Sequence, residues 1–148
     1  MAANAWQIYD SFIERMGDGG HDMDGDQFYL ALFLDGSNCM TMTLDQLSEL
    51  TSQHANQYGY VTGGQLLDNV SWVESSGTVT FDADPEVFNA SGGSILCRYA
   101  VIYNFTHASD LVVAACLLDN TPADVEATDG NTLTITPHAS GVFTIAQA

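Results

Sequence analysis

The chain has 148 residues, with 19 Asp and Glu against two arginines and no lysine, a formal net charge of −17 at pH 7. A surface this acidic repels phosphate backbones and anionic lipid, whose capture needs clustered cations, so neither nucleic acid nor a membrane is an expected partner. Hydrophobic residues still make up 46%, enough for the core of one folded domain rather than a disordered acidic tail.

Trp6, Tyr9, Phe12, Ile13 and Met16 recur at helical spacing and predict an amphipathic N-terminal helix. Asn4 is its expected N-cap, with Gln7 three residues on, and Gly17 its expected left-handed end. Residues 1–17 are therefore read as a helical arm and residues 18–148 as the body. The apolar stripe either packs on that body or docks onto another subunit. Its five residues are the candidates for an assembly interface. The sequence opens MAANAWQIYD, without a basic segment leading into an apolar one, and contains no apolar run near the ~18 residues that cross a bilayer. Folding in a reducing cytoplasm is expected.

Residues 18–27, DGGHDMDGDQ, form an acidic loop in which Asp22, Asp24 and Asp26 alternate like the start of a calcium loop. The places where an EF-hand needs Gly and Glu hold Gln27 and Phe33, which excludes that motif and leaves only weak surface binding of a hard cation. Phe28 to Leu34 reads as a buried strand, and Leu44, Leu47 and Leu50 suggest a short helix near residues 43–53, started by Thr43.

YGYVTGGQLL, residues 58–67, resembles a phosphate-cradling loop at first sight. It has no following lysine and lacks dinucleotide spacing, so Gly59, Gly63 and Gly64 are read as structural, supplying unusual backbone angles where an excursion rejoins a sheet. Strands are then predicted at Val70–Glu74 and at Thr78–Ala83, the latter with Val79, Phe81 and Ala83 on one face. A long strand is predicted at Ile95–Phe105, with Ile95, Cys97, Tyr99, Val101, Tyr103 and Phe105 together on one side. Leu111–Leu118 is apolar on both faces, as in a central strand, although a buried helix has the same pattern. Thr132–Thr136 and Val142–Ile145 complete the set. Many short strands separated by turn signals predict a mainly β fold, a single jelly-roll-like β-sandwich.

No catalytic constellation emerges. Cys39, Cys97 and Cys116 are far apart and lack CxxC spacing, which argues against a zinc site or a disulfide framework. Asp35-Gly-Ser37 has the residues of an aspartic-protease signature in the wrong order, G-x-S-x-G is absent, and the four histidines are scattered. Arg98 alternates with Leu96, Ala100 and Ile102, so it is expected to be partly buried and paired with a carboxylate. No catalytic residue, resident metal, cofactor or small-molecule substrate is expected.

Four segments carry a resemblance: Gly59-Tyr-Val-Thr-Gly-Gly-Gln-Leu-Leu67, Phe81-Asp-Ala-Asp84, Arg98-Tyr-Ala-Val-Ile-Tyr103 and Gly141-Val-Phe-Thr-Ile145. Their order resembles that of small β-rich virion proteins of tailed bacteriophages, of the head decoration or capsid cement type, over residues 28–148. Cys97 stands where that pattern has a small residue, and the acidic loop lies outside it. The resemblance implies a non-enzymatic protein on the capsid exterior, made in the bacterial host cytoplasm. Its implied partners are the major capsid protein and itself, as a homotrimer. The alternative is a tail- or fibre-associated module that holds receptor glycans with exposed aromatics.

Overall fold

A computed structural model describes residues 2–148. Its centre is a five-stranded antiparallel sheet containing β1 (Gln7–Ile8), β2 (Phe28–Phe33), β3 (Gln65–Leu66), β8 (Tyr99–Asn104) and β9 (Leu111–Leu117), in the order β1-β9-β8-β2-β3. Around it lie β4 (Ser71–Ser75), β5 (Thr78–Asp82) and β12 (Phe143–Ala146) in one three-stranded sheet. Two pairs complete the set, β6 (Glu86–Asn89) with β11 (Thr132–Ile135) and β7 (Ile95–Cys97) with β10 (Val125–Ala127). The fold is mainly β, and its strands divide among four antiparallel sheets instead of two continuous ones. The single helix among the described residues, α1, spans Asp10–Gly17, and no helix is long and apolar enough to cross a membrane.

The central sheet is buried on both faces. One face joins Leu30, Leu32, Ala100, Ile102 and Val113 to Phe12, Phe81, Phe88 and Phe143 in the main core. The other face, with Ala31, Phe33, Val101 and Val112, is roofed by Met40, Met42, Leu44, Leu47 and Leu50 from the excursion after β2. The doubly apolar sequence of residues 111–118 thus belongs to a strand covered on both sides, the alternative that the two adjacent valines favour.

The predicted N-terminal helix begins later than its stripe. Asn4 does not cap it. The Asn4 N–H donates to Leu117 O at 2.9 Å and the Tyr9 N–H to Val113 O at 3.0 Å, so the edge of β9 draws residues 4–9 into extended pairing. Helix α1 starts at Asp10 with Tyr9 at its N-cap position and no side-chain cap. Tertiary pairing overrode a local helical pattern, as weak propensities allow. Gly17 is the last helical residue, and the left-handed turn falls at Gly19, with φ of 78°. Of the five stripe residues, Tyr9 and Phe12 are buried, Trp6 and Met16 half-buried, and Ile13 is 57% exposed.

The helix expected near residues 43–53 is a single 3-10 turn, Leu47–Glu49. It is started by a reciprocal box between Gln46 and Glu49, not by Thr43. Its leucines serve the roof over the sheet.

The long strand expected at 95–105 is two strands, and the predicted common face is wrong. Ile95 and Cys97 point into the main core, but so do Ala100 and Ile102, while Tyr99, Val101 and Tyr103 face the roofed side. The phase changes at Arg98, which interrupts the ladder while its N–H donates to Phe33 O at 2.8 Å and its C=O accepts from the Leu118 N–H at 3.0 Å. Opposite, Ile102 pairs with Ala114 but Tyr103 with Val112, which leaves Val113 as an extra residue. That bulge turns Val113 and Ala114 onto the same core face.

Candidate functional site

The sequence-derived positions fall in different parts of the fold. Gly59, Gly63 and Gly64 all have positive φ, at 90°, 97° and 83°. A Cβ at Gly64 would overlap the Leu30 carbonyl, and one at Gly59 would overlap the Asn89 carbonyl. These glycines let the returning loop press against β2 and β6. Nothing about them forms an anion cradle with a cation beside it.

Arg98 joins three chain segments. Its Nε donates to Asp124 Oδ1 at 2.9 Å, and its Nη1 pairs with Asp35 Oδ1. The arginine side chain is 19% exposed, so both carboxylates follow from the cost of leaving a half-buried charge alone. Arg15 pairs with Asp45 and so ties α1 to the excursion. Both arginines are thus engaged by carboxylates of their own chain.

The acidic loop is organised around its own backbone. Asp22 Oδ1 accepts from the N–H groups of Asp24 and Gly25 at 3.3 and 3.1 Å, and Asp26 Oδ2 accepts from the Asp22 N–H at 2.9 Å. Among the described residues, no group of three or more His, Cys, Asp or Glu side chains is placed to hold a metal.

Behind this loop His21 is buried, its ring 5.0 Å from that of Phe12 and 6.4 Å from that of Phe28. Burial pushes its pKa down to about 4, against a smaller opposing pull from Asp26. Asn104 Nδ2 sits 3.2 Å from His21 Nδ1 and 2.6 Å from Asp26 Oδ2, while Asn104 Oδ1 accepts from the N–H groups of Thr106 and His107. The three cysteines are free and buried. Desolvation drives the thiols of Cys97 and Cys116 up to about 12 and about 11, which removes the thiolate needed for nucleophilic work.

A cleft of about 880 Å³ lies between the N-terminal segment, β11 and β12. Its floor includes Leu118, Val125, Leu133, Ile135 and Phe143, all buried members of the main core. The sequence pattern assigned β11 and β12 but gave no sign that they part. Their hairpin closes at the His138–Gly141 bridge, and the arms then enter different sheets. The missed strand β6 takes up β11 while β5 takes up β12, which draws the arms apart; β6 is a run of only four residues behind Pro85.

The cleft is apolar and its lining includes no Asp, Glu, Lys or Arg. Its polar lining consists of Asn4, Thr134, Thr136, His138, Ser140 and Thr144. Comparison finds no match to this chain among protein-family models, curated proteins or solved structures.

Proposed function

We propose that the protein is a non-enzymatic structural component of a virus particle, a cement protein that binds the outer surface of a phage head and stabilises it. In this reading the three small sheets are the broken second layer of a jelly-roll-like sandwich. The observation that carries it is the distribution of charge and apolar surface: −17 over the chain, beside one uncharged apolar cleft. A protein present in many copies on a shell needs net charge for solubility and a neutral patch for grip. The resemblance of residues 28–148 to phage head decoration proteins supports the same reading, and its motifs fall on scaffold positions such as Gly64, Phe81 and Phe143. The major capsid protein is the proposed partner, and a homotrimer the proposed form.

The test is to mix purified protein with empty, expanded phage heads, pellet the particles and compare their images by negative stain with and without the protein. Saturable added density on the heads is the expected result. No association with any head preparation would overturn the reading. The glycan-binding alternative is favoured by exposed aromatics, Tyr58 at 40% and Phe105 at 47%, the latter stacked on Tyr29 at 4.4 Å. Retention on immobilised host surface glycans, with no binding to heads, would select it.

A further inference from the structure

We infer that the cleft is a strand-accepting site, which takes an extended peptide segment of a partner protein onto the free edge of β11. The segment is uncharged and apolar at its centre and flanked by Lys or Arg. The inference is independent of the capsid reading, because it concerns what the cleft accepts and not where the protein resides.

The lining itself points to an edge. A sheet face presents alternate residues, whereas Leu133, Thr134, Ile135 and Thr136 line the cleft consecutively, as do residues 140–144 across from them. Among the described residues, strand β11 pairs only with β6, and β12 only with β5, so both strands turn an unpaired edge outward. On β11 the direction of each main-chain group follows from the register. The Ala90 N–H donates to Asn131 O at 2.9 Å, and Leu133 and Ile135 stand opposite Phe88 and Glu86. Positions 131, 133 and 135 therefore bond inward to β6, which directs the N–H and C=O of Thr132 and Thr134 toward the free edge.

An exposed strand edge is a template for another strand, and proteins normally blunt it with charge, proline or a cover. Here Asp and Glu make up 19 of 148 residues, yet none lines the cleft, so the edge is unguarded where the apolar floor is deepest. Leu133 and Ile135 already face the core, and an added strand would place its own alternate apolar side chains over that floor. The chain's net charge of −17 favours cationic flanks on the incoming segment and disfavours a second copy of this acidic chain.

The experiment uses the full chain and two synthetic peptides of equal charge, acetyl-KKAVTVAKK-amide and acetyl-KKGSGSGKK-amide, titrated calorimetrically at physiological salt. The Thr134→Pro variant removes the outward N–H without touching the pairing to β6, a substitution that an edge strand tolerates. The expected result is binding of the Val-Thr-Val peptide at least about tenfold tighter than the Gly-Ser one, with about a tenfold loss in Thr134→Pro. Should the proline variant fail to fold, amide exchange on the unaltered protein serves instead: the Val-Thr-Val peptide must slow exchange at Thr132 and Thr134. Equal binding of both peptides means attraction by charge alone and overturns the inference. So does unchanged affinity in a folded Thr134→Pro, absence of binding, or unaltered exchange at those two amides.

Discussion

Acidification from pH 7 to pH 4.5 should destabilise the protein through His21 before most carboxylates take part. The neutral ring is held between Phe12 and Phe28, with Asn104 Nδ2 directed at Nδ1. Asn104 cannot turn its amide to receive an imidazolium, because its Oδ1 already accepts from two backbone N–H groups. Protonation would set two donors face to face inside an apolar packing.

The unfolded chain binds this proton below pH 6.5, whereas the folded chain resists until about 4. Stability contributed by the neutral ring is therefore full above 6.5 and is lost as the pH falls toward 4. That interval corresponds to about 3 kcal/mol at full effect, of which about 2 kcal/mol is expressed by pH 4.5. The other charges near the ring are Asp26 and Asp45, which favour its protonation, and Arg15 and His107, which oppose it.

Urea unfolding followed by near-UV circular dichroism at pH 7.5, 6, 5 and 4.5 would measure the loss, with His21→Phe as the reference. The stability of the native protein relative to the variant should fall by about 2 kcal/mol between pH 7.5 and 4.5. A gap independent of pH would refute the reasoning, since it would mean that His21 does not titrate in this window.

Three other outcomes follow from geometry and charge. Gly64→Ala should cost more than ~2 kcal/mol in the same unfolding assay, because φ of 83° and the Leu30 carbonyl both exclude a Cβ; a neutral effect would mean the loop lifts away freely. Glu86 is buried, and desolvation raises its pKa against an opposing hydrogen bond from the Asp68 N–H, with the charges of Asp68 and Asp84 adding smaller pushes upward. Its contribution to stability is lost as the pH climbs through that raised value, so the stability of Glu86→Gln relative to the native protein should rise between pH 4 and pH 7, read from melting curves. Finally, three associated copies carry a formal charge near −51, three times −17. With a Debye length of ~30 Å at 0.01 M salt and ~8 Å at 0.15 M, any self-association seen by sedimentation should weaken at low salt and recover with magnesium. Because Asp22 and Asp26 are engaged by loop amides, that recovery should be general screening, equal for an Asp22→Asn variant.

What was legible in the sequence was alternation and its limits. Phe28 to Phe33, Thr78 to Asp82 and Leu111 to Leu117 were readable because their apolar content suits a strand buried on at least one side. The start of α1 was not, because Trp6 lies on a helical period with Tyr9 while β9 offers it an edge more than a hundred residues away. The inversion at Arg98 was equally hidden. Period-two reading carries one phase through a run, and only the partners of β7 and β8 reveal that the run serves two sheets. The ion pairing of Arg98 was foreseeable from the cost of burying charge, but its two partners were not, since Asp35 and Asp124 come from distant loops. The cleft had no local signature, as it is made by the parting of two strands.

The pairing of Gln7 with Ala115 and Ile8 with Ala114 also dictates the order of events at the ribosome. The first strand of the central sheet has no partner strand until β9 emerges, and β2, paired early only with the two-residue β3, waits for β8 on its other edge. Contacts this distant along the chain make for slow folding. In the interval the uncharged opening residues and one edge of the FYLALF strand stand unpaired, in reach of chaperones and of other nascent chains. Soluble yield should consequently respond to translation speed and growth temperature more than the melting point of the finished protein would suggest.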